Sequence, residues 1–285
     1  MERSTNFESR KMNKLIAGSV VAVVGIVGLS LAIAGGMFGT GNREGAREGG
    51  SQPDFLAATG NSSAEALRGM AAMDRAAAED KYLFAMFWER ENEDTSAMHK
   101  VVSAVAEASS EIESVFVQIN DRAEREFVQK FRLSRAPMPL VLAIAPNGAV
   151  TGGFPYECDE QELLDAVVSP VTAQMLKSMQ EGRLVFLCIQ NEDTTENEAA
   201  LRGVQDFAAD PLVGHLADVI RVDPRDSAEA AFLEELGIPP HTSVAMTAML
   251  VPPGALAAVI EGPTTKEALM ATFRRACGPG GCSPF

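Results

Sequence analysis

One order of elements is written twice in this chain, and that recurrence constrains the fold more than anything else in the sequence. The first pass begins with a capping box, Ser62 and Glu65, ahead of an Ala-rich helix running to about Glu79. An apolar strand follows at Tyr82–Trp88, then a helix over Ser96–Ser109, a strand at Val115–Ile119 and a short helix over Arg122–Phe131. Leu140–Ile144 reads as the third strand, Pro146-Asn147-Gly148 as a hairpin turn, Ala149–Phe154 as the returning strand and Asp159–Val168 as the closing helix. The second pass has strands at Arg183–Ile189, Leu216–Val222, Val244–Val251 and Ala255–Ile260, the last two joined by Pro252-Pro253-Gly254. Its helices fall on Glu196–Ala208, Ala228–Leu236 and Thr264–Arg275. Both passes give β-α-β-α-β-β-α over about 90 residues. The leading strands are apolar throughout, as in a sheet covered on both faces, and each hairpin adds an antiparallel edge. Asn-Glu-Asp-Thr follows the first strand each time, at 92–95 and at 191–194, which supports an internal repeat.

Ahead of the repeat stands a different kind of segment. Leu15–Phe38 is a run of 24 residues without a charge, and a helix needs about 20 to cross the hydrocarbon. Arg3, Arg10, Lys11 and Lys14 precede it, whereas Arg43 and Arg47 beyond it are offset by Glu44 and Glu48. The basic bias puts residues 1–14 in the cytoplasm, 15–38 in the membrane and the rest outside, in a periplasmic or extracellular space. A cleaved signal peptide is the rival reading, with Ala32-Ile33-Ala34 as a small-x-small site before Gly35; the apolar run is longer than a usual signal core. Small residues four apart, Gly18 with Ala22 and Ala32 with Gly36, would suit a second copy of the helix and so a homo-oligomer. Residues 39–61 are Gly-rich and polar, a flexible tether. The expected division is then 62–170 for the first unit, 171–276 for the second and 277–285 for a Cys/Gly/Pro tail.

Charge and motifs exclude several chemistries. A net charge of -15 and a pI near 4.7 do not suit nucleic acid, which needs a basic face. There is no phosphate-binding loop, no nucleophile elbow and no zincin or haem-attachment motif, so no cofactor and no metal are expected. Glu89, Glu91, Glu93 and Asp94 lack the spacing and glycine of a calcium loop and read as a solvated turn. His99, His215 and His241 read as helix or loop residues. Of the four cysteines, Cys188 sits in an apolar strand and reads as a core thiol. Cys158 stands near a helix start, where the flanking Glu157 and Asp159 oppose a thiolate. Cys277 and Cys282, in C-G-P-G-G-C, suit a small local disulfide in an oxidising compartment, and they are the redox candidates.

Phe87-Trp88 at the end of the first strand resembles the start of the thioredoxin motif F-W-A-x-W-C-x-x-C. Met138-Pro139, eight residues ahead of Asn147, resembles that family's cis-proline loop. The resemblance implies two tandem thioredoxin-like domains, each a central mixed sheet flanked by helices, behind one N-terminal transmembrane helix. It also puts the two redox cysteine positions on Asn92 and Thr95, which supply neither an attacking nor a resolving thiol. The second unit has no cysteine in that place, and Pro239-Pro240 is its nearest counterpart to the proline loop. What the resemblance leaves is a surface on which an extended peptide adds to exposed backbone, as in the non-catalytic domains of protein disulfide isomerases. The expected function is binding of a peptide or protein partner at Met138, Pro139, Asn92 and Thr95, without enzyme chemistry. Two alternatives stand beside it: an atypical thiol–disulfide oxidoreductase using Cys277 and Cys282 or Cys158, and an envelope scaffold.

Overall fold

A computed structural model describes residues 68–277, of Cys277 the backbone alone. The capping box, the uncharged run at 15–38, the tether and Cys282 lie outside the described residues. Among the described residues no helix is long and apolar enough to cross a membrane.

The first unit opens with α1 (Arg68–Ala78) and continues through β1 (Tyr82–Trp88), α2 (Glu93–Ala108), β2 (Ile112–Gln118), α3 (Arg125–Lys130), β3 (Leu140–Ile144), β4 (Val150–Pro155) and α4 (Glu160–Asp165). The second comprises α5 (Pro170–Gln180), β5 (Leu184–Ile189), α6 (Asn197–Ala208), β6 (Ala217–Val222), α7 (Ala230–Glu235), β7 (Met246–Val251), β8 (Ala255–Glu261) and α8 (Lys266–Cys277). The sheets have the same topology, in the orders β2-β1-β3-β4 and β6-β5-β7-β8. In each, the first two strands run parallel and the third runs antiparallel to both its neighbours.

The strand sequences explain the layering. Side chains alternate across a strand, so a central strand with helices on both sides is apolar at every position. Leu83, Ala85 and Phe87 face one way, into a core with Phe127, Phe131 and Leu133. Tyr82, Phe84 and Met86 face the other way and meet Met98, Val102 and Val105 of α2. That second core does not stop at the unit: it continues through α5 to Val185, Leu187 and Ile189 of β5.

Helix α5 was not foreseen. Ser169 accepts a bond from Thr172 N–H at 3.1 Å and Pro170 occupies the first turn, the combination that starts a helix. α4 ends at Asp165 instead of continuing to Val168. A division at 170/171 therefore falls inside the first turn of a helix. α5 packs against β4 of one sheet and β5 and β6 of the other. Polar bonds reinforce the junction. Gln180 donates to the Val150 carbonyl at 2.6 Å and accepts from the Val150 N–H at 3.0 Å, blocking the free edge of β4. Tyr82 Oη donates to the Val168 carbonyl at 2.8 Å and accepts from its N–H at 3.1 Å. Ser169 Oγ donates to the buried Glu229 carboxylate at 2.7 Å.

The two Asn-Glu-Asp-Thr tetrapeptides do not occupy the same place. Phe87 pairs with Leu140 and Ile189 with Met246, which makes Phe87 and Ile189 equivalent. Asn92 lies five residues past the first, Asn191 two past the second. Asn92 caps a helix that begins at the next residue, whereas α6 begins only at Asn197. The repeat is real in topology, and the shared tetrapeptide is not its marker.

Candidate functional site

The connections at one end of the first sheet form a mouth. Phe87 opposes Leu140 and Leu140 opposes Pro155, so Trp88, Pro139 and Tyr156 come to the same end. The mouth is closed from one side by the start of α2. Asn92 is extended (φ -150°, ψ -175°) and its Oδ1 accepts the Thr95 N–H at 2.8 Å, the bond of a helix N-cap. Thr95 is buried, and its hydroxyl donates to the Arg90 carbonyl at 2.9 Å, tying the β1–α2 connection down. Of these two sequence candidates, only Asn92 presents a side chain to solvent.

The proline loop forms the other side. The Met138–Pro139 bond is cis. Pro139 is buried, and its carbonyl accepts the Tyr156 N–H at 2.7 Å. Met138 is half-buried against the core beneath. Among the described residues neither its N–H nor its carbonyl has a hydrogen-bond partner, although ladder pairing begins two residues later. Tyr156, which sequence reasoning passed over, is 61% exposed and held at φ +69°, a region that bulky side chains seldom occupy. A shallow depression lined by Glu91, Asn92, Glu93, Ser96, Ala97 and Lys100 adjoins the cap.

The second unit builds the same end differently. Gly262 N–H donates to the Ala245 carbonyl at 2.8 Å, as Tyr156 does to Pro139, so Ala245 stands in the proline's place. Pro239-Pro240 does not; the second cis bond is Pro252–Pro253, in the β7–β8 turn. Here the chain itself fills the place of an added strand. Thr195 N–H donates to Ser243 O and Ala245 N–H donates to Thr195 O, both at 2.9 Å, so Thr195 bridges Val244 as a parallel strand would. Local side chains hold that loop. Asn191 Nδ2 donates to Asp223 Oδ1 at 2.8 Å, Asn197 Nδ2 to the Asn191 carbonyl at 2.7 Å, and Arg225 pairs with Asp193.

Among the described residues the thiols are placed away from nucleophilic work. Cys158 is half-buried, and burial with the Glu162 and Asp159 carboxylates pushes its pKa up to about 11. Burial does the same to Cys188 in β5, also to about 11. The Cys277 side chain and Cys282 lie outside the described residues, so their pairing has no structural counterpart here. Among the described residues no group of three or more His, Cys, Asp or Glu side chains is arranged to hold a metal ion. His99 stacks on Phe116 with ring centroids 3.9 Å apart, a packing role.

No family model and no curated protein sequence matches the chain. Solved structures do. A disulphide isomerase from Xylella fastidiosa is 15% identical, with 40% of this chain and 93% of that one covered and a TM-score of 0.27. The N-terminal domain of the alkylhydroperoxide reductase AhpF from Enterococcus faecalis is 15% identical, covering 71% of this chain and 97% of that one at a TM-score of 0.27. The first two thioredoxin domains of Saccharomyces cerevisiae Eps1p are 12% identical, covering 81% and 99% at 0.26. At such scores none of these likenesses bears on what the chain does. The sheet order, the lone antiparallel third strand and the flanking helices are the arrangement that the sequence resemblance implies. Each half of the described chain thus has the strand order and helix cover that the resemblance implies, and Asn92 and Thr95 stand where it would place the redox cysteines of the first.

Proposed function

We propose that this chain binds an extended peptide or a protein partner at the mouth of its first unit without thiol chemistry. In this reading residues 15–38 anchor it to a membrane, and both units work outside the cytoplasm. One observation carries the binding site: among the described residues the Met138 N–H and C=O have no partner at an open sheet end, while in the second unit the chain's own Thr195 pairs with the backbone on either side of the equivalent Val244, at Ser243 O and Ala245 N–H. An extended segment passing Met138 gains main-chain hydrogen bonds there, as in strand addition. In the second unit Thr195 already lies where such a segment would run, and that unit serves as the support that α5 welds to the first. The distribution of thiols agrees with a non-covalent role, since Asn92 and Thr95 make a helix cap and the described cysteines are held protonated.

A photo-crosslinking amino acid placed at 138 and, separately, at 244 tests this. The probe is reduced, carbamidomethylated lysozyme, an unfolded chain with no free thiol. The reading expects adducts at 138 and none at 244. Equal labelling at both positions, or none at 138, overturns it.

A further inference from the structure

The geometry points to a basic, extended segment as the occupant of the first unit's mouth, an inference that rests on the peptide-binding reading above and names its partner class. Three observations converge on that end of the sheet. First, the segments that frame it are unequal in charge. Residues 89–94 hold four acids and one base, residues 156–162 four acids and no base, and residues 132–139 two arginines. Secondly, these acids are not consumed by ion pairs: among the described residues no salt bridge joins any carboxylate of 89–94 or 156–162 to a base. Their field is felt by a neighbour, for Glu162 and Asp159 add to burial in keeping Cys158 protonated. Thirdly, Tyr156 stands exposed beside Pro139, fixed by its N–H bond to the Pro139 carbonyl. An exposed tyrosine ring amid carboxylates suits the flat approach of a lysine or arginine side chain.

These features divide the work of recognition. The Met138 backbone orients the strand whatever its sequence. The half-buried Met138 and Trp88 side chains offer apolar contact to one residue of it. The acids on either side then favour lysine or arginine flanking that residue and reject glutamate or aspartate, whose charge would face like charge. Complementary charge of this kind sets partner choice and association rate more than raw affinity.

Three synthetic peptides with one alternating apolar core, flanked by lysine, glutamine or glutamate, test the inference against the intact chain. Binding is read by fluorescence anisotropy, and the site by competition with crosslinking at 138. The lysine peptide is expected to bind about tenfold tighter than the glutamine one, the sum of a few exposed charge pairs, and the glutamate peptide weakest. That advantage should shrink at high salt and in Glu91→Gln/Glu157→Gln, whose side chains make no hydrogen bond or ion pair among the described residues. Equal binding of all three at 138 overturns the charge inference and leaves the binding site intact. Failure of all three to compete at 138 overturns both.

Discussion

Gly203→Ala sets two known effects against each other and lets the structure decide the sign. Gly203 lies inside α6, where alanine is intrinsically better by about 1 kcal/mol. Propensity alone therefore predicts stabilisation. A β-carbon built at Gly203, however, falls 2.2 Å from the Thr264 carbonyl oxygen and 2.5 Å from its carbon. Ordinary contact between such atoms is near 3.5 Å, so α6 and the entry to α8 must part by about 1 Å. Thr264 is buried, and the clash is with backbone, which has no rotamer to escape into. Parting the helices also strains the aromatic run beneath, where Phe207 meets Phe186 at 4.9 Å and Phe273 at 6.2 Å. Overpacking of this kind costs about 3 kcal/mol at the upper end of its usual range, leaving a net loss of about 2 kcal/mol after the propensity gain. Urea denaturation followed by far-UV circular dichroism and by the fluorescence of Trp88 measures it. The second probe sits in the first unit, and the shared core through α5 predicts that both probes move to lower urea together. A Gly203→Ala chain as stable as the parent refutes the close approach. A shift confined to one probe refutes the coupling of the units.

Other expectations concern the junction and the thiols. Tyr82→Phe leaves Val168 N–H and C=O without their partner and should cost about 1–3 kcal/mol in the same assay. Glu229 has its pKa raised, by burial first and then by Asp226, against the opposing bonds from Ser169 and Val171. A carboxyl with a raised folded pKa contributes stability that is full below its unfolded pKa and is lost as pH rises through the folded value. Glu229→Gln keeps an oxygen to accept from Ser169 and should flatten stability between the ordinary carboxylate range and neutrality; an unchanged pH profile would contradict the assignment. With a pKa pushed up to about 11, Cys158 carries roughly 100-fold less thiolate at neutral pH than an unperturbed thiol, so its alkylation by iodoacetamide should be slower by a similar factor.

The strands were the most legible part of the sequence, because β1, β3 and β5 are buried on both faces and write that as unbroken apolar runs. Leu140–Ile144 and Tyr82–Trp88 need no further context. Helix starts were harder. The polar residues Asn92–Thr95 look like a loop until the side-chain bond between Asn92 and Thr95 N–H shows the helix beginning at Glu93. Ser169-Pro170 carried a start signal that the preceding helical pattern hid, and with it went the helix that joins the units. At the candidate site, Met138 and Pro139 could be placed from sequence, since the loop before β3 has its own signature. Tyr156 could not, because its place follows from a bond to Pro139 across strands that no spacing reveals. Nor could the contrast between the units, since the identical tetrapeptides suggested equal sites. The closure at Thr195 depends on backbone pairing between residues 48 apart in the chain.

Hydrogen exchange at single residues, with and without the lysine-flanked peptide, tests the central asymmetry most directly. In the free chain the amide of Met138 should exchange at nearly the rate of an unstructured peptide, while the amides of Thr195 and Ala245 are protected by their mutual bridge. Adding the peptide should slow Met138 and leave Thr195 and Ala245 unchanged. Protection of Met138 in the free chain, or a peptide response confined to the Thr195–Ala245 bridge, would contradict the account.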